Sequence, residues 1–220
     1  MTKNTTWFWV AVVAVLLAAP NATIIRVAVD EADPIYWTFS RFILISIVCL
    51  PFVIKGRNSL RSSVARKNVL IASVALTVGI LSYVYAIYYS QASYVSILTL
   101  IKPIVFVILS AKLIGDTLTQ RSIAGVILTA IGAMVLVVLP IAQNNSGVAF
   151  YPLATIFGLV YCVAYTLGFI YLRKANEAGV TMSMSIGVTS MMIAAVTYVL
   201  FLLFGDWSRT PVDGGYWLAV

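Results

Sequence analysis

Lys102 is the residue whose type and position most directly indicate chemistry. It lies near the middle of the apolar segment 92–112, where an uncompensated ammonium group is costly inside a bilayer and from where the side chain cannot reach either headgroup layer. Two interpretations stay open: Lys102 anchors a carboxylate or phosphate of a solute, or it is a structural lysine bound to carbonyl oxygens or to a carboxylate elsewhere. Pro103 follows directly, and it predicts a kink because proline leaves the carbonyl of Thr99 without its helical hydrogen bond.

Further polar side chains lie within apolar segments and are candidates for the same cavity. Tyr85, Tyr161 and Tyr165 occupy mid-segment positions, and a ring that carries a hydroxyl suits contact with an amphiphilic solute. Pro20 and Asn21 interrupt the first apolar segment, which predicts a bend with an amide that needs a partner. Tyrosines near segment ends instead indicate an interfacial belt, to which we assign Tyr83, Tyr88, Tyr94, Tyr151 and Tyr171.

Arg41, Gly125 and Gly132 have structural interpretations. Arg41 lies about 10 Å along the helix from the start of segment 34–54. We therefore expect it to pair with a carboxylate of the preceding loop, and contact with a solute is the alternative. The carboxylates of that loop are Asp30, Glu31 and Asp33. Gly125 and Gly132 share one helix face and predict close packing between two helices.

The composition excludes most functions of soluble proteins. Of 220 residues, 62% are hydrophobic and 10% are charged, against roughly 45–50% and about 25% in soluble domains. We therefore expect an integral membrane protein rather than a soluble enzyme or a nucleic-acid-binding protein. Because the chain has no His and its two cysteines, Cys49 and Cys162, stand alone, we predict no metal site, no cofactor and no catalytic residue.

Seven apolar runs are long enough to cross a bilayer core of about 30 Å. Their limits are 7–27, 34–54, 68–89, 92–112, 121–141, 149–172 and 181–204. Residues 216–220 have the composition of an eighth span that has just begun. We therefore expect a truncated chain, and a short amphiphilic tail is the alternative.

The loops between these spans differ in charge. Ten lysines and arginines lie on one side of the predicted membrane, whereas the other side has Arg26 and Arg209. Positive residues are retained on the cytoplasmic side. The pattern therefore predicts a protein of the cell (inner) membrane with a cytoplasmic N-terminus.

A series of motifs follows the order of one known family. An aromatic third helix passes through a very short turn into a helix with a central proline, and an acidic residue and regularly spaced glycines come next. The residues are Tyr83 to Tyr89, Ser90-Gln91, Pro103, Gly115-Asp116-x-Leu118-Thr119, Gly125 and Gly132, preceded by Pro20-Asn21 and Arg41-Phe42. In this combination the chain resembles the EamA-type branch of the drug/metabolite transporter (DMT) superfamily. It departs from the family at Asp116, where Glu is usual, and at Lys102, where an apolar or small residue is usual.

The resemblance implies an all-α polytopic bundle of ten spans in two inverted five-helix repeats. Residues 1–142 would form the first repeat, and 143–220 would form an incomplete second repeat. It also implies transport of small organic metabolites by alternating access, with a small-molecule solute and the lipid bilayer as partners. Lys102 favours an anionic or zwitterionic, amino-acid-like solute, and association as a homodimer stays open.

Two other functions are alternatives to transport. An integral-membrane enzyme acting on lipid-linked substrates would need converging acid, base or metal-binding groups. The absence of His and the separation of Asp116 and Glu177 on different loops argue against it. A non-transporting helper subunit is the other alternative, and the identity of the solute, the direction of flux and the energy coupling stay open.

Overall fold

The computed structural model describes residues 9, 10, 12, 13, 16, 20–115, 119–142 and 151–211. Helices dominate these residues, and no strand occurs among them. Most of the first predicted span, Asp116 and residues 216–220 lie outside the described residues.

Eight α-helices account for most of the described chain. They are α1 (Asn21–Glu31), α2 (Pro34–Gly56), α3 (Ser63–Tyr88), α4 (Ala92–Thr99), α5 (Lys102–Ile114), α6 (Gln120–Ala142), α7 (Pro152–Glu177) and α8 (Met182–Phe204). Short 3-10 turns follow α2 at Arg57–Arg61 and α8 at Trp207–Arg209.

Five described segments have the length and apolar composition of membrane spans. They are Pro34–Arg61, Ser63–Tyr88, Ala92–Ile114, Pro152–Glu177 and Met182–Phe204. Large apolar side chains such as Val48, Leu203 and Phe204 are exposed on the outside of the bundle, as expected for surfaces that face lipid. The prediction of an all-α polytopic membrane protein is confirmed.

The centre of the bundle is the crossing of α3 with α7. α2 packs on α8, α8 also contacts α3, and α1 packs on α3 and α4. Apolar clusters fill these contacts along the length of α3, from Ala65 and Val69 at one end, through Ala72 and Leu76, to Val84 and Ile87 at the other. α6 lies at the edge of the bundle, where it contacts α5 and α4.

Glycines set the distance between α3 and α7. A Cβ atom at Gly79 would lie 2.9 Å from the backbone nitrogen of Tyr165, and one at Gly168 would overlap the side chain of Leu76. Lipid tails are as apolar as the side chains, so close contact through small residues is a main source of packing energy between membrane helices. The two glycines therefore determine how the faces of α3 and α7 meet.

Gly125 and Gly132 make no close helix contact among the described residues, so the packing role predicted from their spacing stays a prediction. An added Cβ atom at either glycine meets nothing within 4 Å among the described residues. Among the described residues, α6 lies at the edge of the bundle, and both glycines are exposed there. The close approaches occur at Gly79 and Gly168 instead.

One end of the bundle is held by side chains that bind helix ends, and we call it the Asp33 end. Asp33 caps α2 by accepting hydrogen bonds from the backbone N–H groups of Ile35 (2.8 Å) and Tyr36 (3.1 Å). Arg26 donates to the carbonyls of Ile87, Tyr88 and Ser90 at 3.0, 3.0 and 3.1 Å, so it caps the C-terminus of α3. Unpaired backbone groups at these helix ends are thereby satisfied.

The segment after α8 joins the same end. Arg209 donates to the carbonyls of Val29 (2.8 Å) and Asp30 (3.0 Å), and to the hydroxyl of Tyr88 (3.2 Å). Its own carbonyl accepts from the backbone N–H of Asp33 at 3.0 Å. Hydrogen bonds from the hydroxyl and the backbone N–H of Ser208 lower the pKa of the exposed Asp206 carboxyl. α1, α2 and α3 are thus tied to a segment that lies far away in sequence.

The contact at Gly79 predicts a specific loss of stability. We expect Gly79→Ala to lower the free energy of unfolding by about 1–3 kcal/mol, because the added methyl group meets backbone rather than a movable side chain. Gly125→Ala is the matched control, since its methyl group has open space. Thermal unfolding of the purified variants in detergent checks this, and equal stability of both variants would contradict the role of Gly79.

Candidate functional site

The span that contains Lys102 is broken in two at its middle. α4 ends at Thr99, and the backbone N–H groups of Leu100 and Ile101 donate to the carbonyls three residues earlier, at 3.0 and 3.1 Å. α5 then begins at Lys102, with Pro103 in its first turn, where proline is favoured because its missing N–H has no helical partner there. The interruption places Lys102 at the start of a new helix, midway along the span.

Two tyrosines of α7 surround the ammonium group of Lys102. Its Nζ donates a hydrogen bond to the hydroxyl of Tyr161 at 2.9 Å. It also lies 4.7 Å from the ring centroid of Tyr161 and 5.0 Å from that of Tyr165, distances at which a cation is attracted to the face of a ring. Lys102 is half-buried, and two of its three N–H donors have no hydrogen-bond partner among the described residues.

A cavity of about 130 Å³ lies between α1, α2, α3 and α7. Its polar wall contains Arg41, whose Nη1 donates to Oδ1 of Asn21 at 3.0 Å and whose guanidinium lies 5.2 Å from the ring centroid of Trp37. Its aromatic wall contains Tyr83, Tyr161 and Tyr165. The ring centroids of Tyr83 and Tyr161 are 4.5 Å apart and their planes are tilted by 32°, so two aromatic rings in contact close the crossing of α3 and α7.

A larger groove of about 420 Å³ lies beside this cavity, between α4, α5 and α7. Lys102 contributes a charged group to its lining, and most of the remaining lining is apolar, including Pro103, Phe106 and Phe169. Tyr165 lines both the groove and the cavity. The two spaces are therefore adjacent, with Tyr161 and Tyr165 between the cations of Lys102 and Arg41.

The charged side chains that line the groove and the cavity are both cations, Lys102 and Arg41. The ion pairs formed by the described residues are Arg26–Asp30 and Arg173–Glu177, both within single helices, and they include neither Lys102 nor Arg41. An ionised side chain within a membrane span is costly unless an opposite charge, water or a polar ligand compensates it. The arrangement can bind an anion, with aromatic surface for the rest of the solute.

The structure brings together most of the residues that the sequence singled out. Lys102, Tyr161 and Tyr165 form one cluster, and Asn21 lines the adjoining cavity. Pro20 precedes α1, where its carbonyl accepts from the N–H of Ile24 at 2.9 Å. The residues just before Pro20 lie outside the described ranges, and the predicted bend in the first span falls there.

Tyr85, which we predicted to line the cavity, lines neither of these two spaces. Its ring stacks on Tyr89 and Phe157 at centroid distances of 6.1 and 5.6 Å. Tyr83, which we assigned to the interfacial belt, lines the cavity in its place. The two tyrosines differ by two positions, which in a helix turns their side chains to nearly opposite faces.

Arg41 has a different partner from the one expected. No loop carboxylate pairs with it among the described residues, because Asp33 caps α2 and Asp30 pairs with Arg26. The side chain of Arg41 instead lies against α1, where it donates to Asn21. Arg41 lines the cavity, and its alternative interpretation, contact with a solute, stays open.

Tyr83 and Trp37 are the cavity residues that the sequence interpretation missed. Tyr83 lies one helical turn after Gly79, on the stripe of α3 that approaches α7. Trp37 lies one turn before Arg41 on α2. A signal existed in both cases, since residues four apart share a helix face and Gly79 marks the face of α3 that contacts another helix.

The hydrogen bond to Lys102 predicts a measurable effect. We expect Tyr161→Phe to lower the free energy of unfolding by on the order of 1 kcal/mol, because a charged donor loses its acceptor while the ring is kept. Tyr198→Phe is the control, since that hydroxyl has no hydrogen bond among the described residues. Thermal unfolding in detergent checks the difference, and an unchanged midpoint for Tyr161→Phe would show that the bond contributes nothing.

Comparisons with known proteins identify the fold and the family of the chain. A solved crystal structure of a protein matches the chain with a TM-score of 0.63 and 20% sequence identity, over 93% of this chain and 71% of the other, which shows a shared fold. No curated protein matches the chain in a sequence search. The model of the EamA-like transporter family matches residues 5–138. The chain therefore belongs to the EamA-like transporter family.

Proposed function

We propose that this protein carries small anionic or zwitterionic, amino-acid-like organic metabolites across the membrane by alternating access. The family supports a membrane transporter of small molecules. The choice of solute rests on Lys102, a cation at the middle of a span. Its side chain lines a groove of about 420 Å³, and it has no carboxylate partner among the described residues.

Each polar group has a proposed role in binding. Lys102 binds the acid group of the solute through its two remaining N–H donors. The hydroxyl of Tyr161 holds the ammonium group in place at 2.9 Å, and the ring of Tyr165 contacts the body of the solute. Asn21 offers a further polar contact from α1. No step of covalent chemistry is required of these residues, which fits a transporter rather than an enzyme.

The Asp33 end supports the proposal of alternating access. In a transporter of two halves, a central site opens to one side when contacts on the other side close. Here Arg209, in the predicted second repeat, hydrogen bonds to Val29 and Asp30 in the predicted first repeat. We infer that these contacts close one side of the site and must break for the opposite state.

The charge of the loops supports an orientation. The Asp33 end contains Arg26, Arg209 and most of the nearby carboxylates, whereas the basic turn Arg57–Arg61 is at the other end of α2. By the positive-inside rule, we propose that the Asp33 end faces away from the cytoplasm and that the N-terminus is cytoplasmic, in the cell inner membrane.

Replacement of Lys102 tests the proposed function. We expect Lys102→Met to reduce uptake of anionic and zwitterionic solutes by about 100-fold or more, because a charge-assisted contact is lost, while membrane insertion and yield stay near normal. Uptake of radiolabelled amino acids and small organic acids into proteoliposomes measures this. Lys112→Met, an exposed lysine on the same helix, is the control, and uptake by Lys102→Met at the wild-type rate would contradict the proposal.

Replacement of Arg209 tests the proposed closure. Hydrogen bonds to charged groups contribute about 1.5–3 kcal/mol, so Arg209→Gln should increase amide hydrogen exchange in the last turn of α1 by on the order of tenfold. Arg61→Gln, in the turn at the opposite end, should have no effect there. Unchanged exchange of Val29, Asp30 and their neighbours in Arg209→Gln would contradict the proposed closure.

A further inference from the structure

Arg41 is a second cation in the same region, and its hydrogen-bonding capacity is mostly unused. A guanidinium has five N–H donors, and among the described residues one of them is bound, by Oδ1 of Asn21 at 3.0 Å. The guanidinium lies over the ring of Trp37 and lines the cavity of about 130 Å³. Its fork of parallel donors matches the two oxygens of a carboxylate.

Trp37, which also lines this cavity, carries a second unused donor. Its side chain is 1% exposed and lines the cavity, and its indole N–H has no hydrogen-bond partner among the described residues. A buried donor without an acceptor destabilises a protein unless a ligand or water supplies one. Trp37 and Arg41 therefore indicate an acceptor that lies outside the described residues, and a bound solute can supply it.

We propose that Arg41 is a second cationic anchor, and that the solute carries two anionic groups, one bound by Arg41 with Trp37 and the other by Lys102. This inference rests on the proposed function, because it assigns Lys102 to the solute. The two cations open to adjacent spaces that share Tyr165, so one extended solute can contact both.

The balance of charge favours two anionic groups over one. The chain has seven Asp and Glu residues, and none lies within a predicted span. A solute with one anionic group compensates one of the two cations and leaves the other uncompensated in the membrane. A solute with two anionic groups compensates both, and the aromatic rings of Tyr161 and Tyr165 contact the part between them.

A purely structural role for Arg41 makes a different prediction. In that case the bond to Asn21 joins α1 to α2, and loss of Arg41 weakens the binding of every solute to the same degree. A second anchor changes the preference between solutes that differ by one charge. The ratio of two affinities therefore distinguishes the roles.

The test compares solutes that match in length and differ by one carboxylate. The pairs are glutamate with glutamine and succinate with succinamate. For each solute, we measure the concentration that gives half of its maximal increase in the unfolding temperature of the purified full chain. We expect the wild type to bind the two-carboxylate member at least about tenfold more tightly. Arg41→Gln should reduce this ratio to near one and leave glutamine or succinamate affinity within about twofold. Arg61→Gln is the control.

Trp37→Phe provides a second variant that keeps the ring and removes the N–H. It should weaken the two-carboxylate solute several-fold and leave its one-carboxylate partner unchanged. A wild type without preference within either pair, or equal weakening of both members by Arg41→Gln, overturns the inference. If binding of the one-carboxylate members still depends on Lys102, the proposed function survives that result. If Lys102→Met changes the binding of no solute of either pair, both proposals fail.

Discussion

A methyl group at Gly79 would lie 2.9 Å from the backbone nitrogen of Tyr165, and this contact sets how closely α3 and α7 approach. Gly168 meets α3 from the other helix in the same way. Within a bilayer such contacts hold helices together, because burial of apolar side chains brings little gain over contact with lipid. Tyr83 lies one turn after Gly79, and Tyr161 lies one turn before Tyr165. The crossing therefore brings the ring centroids of Tyr83 and Tyr161 to 4.5 Å from each other. The aromatic wall of the cavity follows from the positions of two glycines.

The aromatic wall explains how two cations are tolerated within the spans. Lys102 lies near the faces of two rings, and Arg41 lies over Trp37. Each such contact contributes about 0.5–2 kcal/mol, whereas translocon-based scales give a cost of about 2.5–3.5 kcal/mol for a lysine or arginine at the centre of a span. The rings therefore offset part of the cost. The anionic solute that we propose would compensate the remaining cost, and it would gain affinity from charges that the described residues leave without an opposite charge.

The sequence predicted the features that depend on composition and position along the chain. The spans follow from apolar length, and Lys102 stands out because an ionisable group in an apolar run is rare. Features that depend on the rotation of a helix about its axis could not be predicted. Tyr83 and Tyr85 differ by about 200° around α3, and the contact at Gly79 decides which of them faces the cavity. The partner of Arg41 depends in the same way on the rotation of α2, so proximity in sequence to acidic residues was misleading.

In the proposed transporter, α3 borders a hydrated cavity on one face and lipid on another, and cysteine accessibility tests this most directly. In a Cys49→Ala/Cys162→Ala background, Ile80→Cys lies on the cavity wall and Val78→Cys on the exposed outer face. Asn58→Cys, in the turn after α2, shows that the reagent is active. Because thiols react as thiolates, which need water, a membrane-impermeant methanethiosulfonate reagent should modify Ile80→Cys at least about tenfold faster than Val78→Cys. Equal protection of both from either side of the membrane would contradict the account.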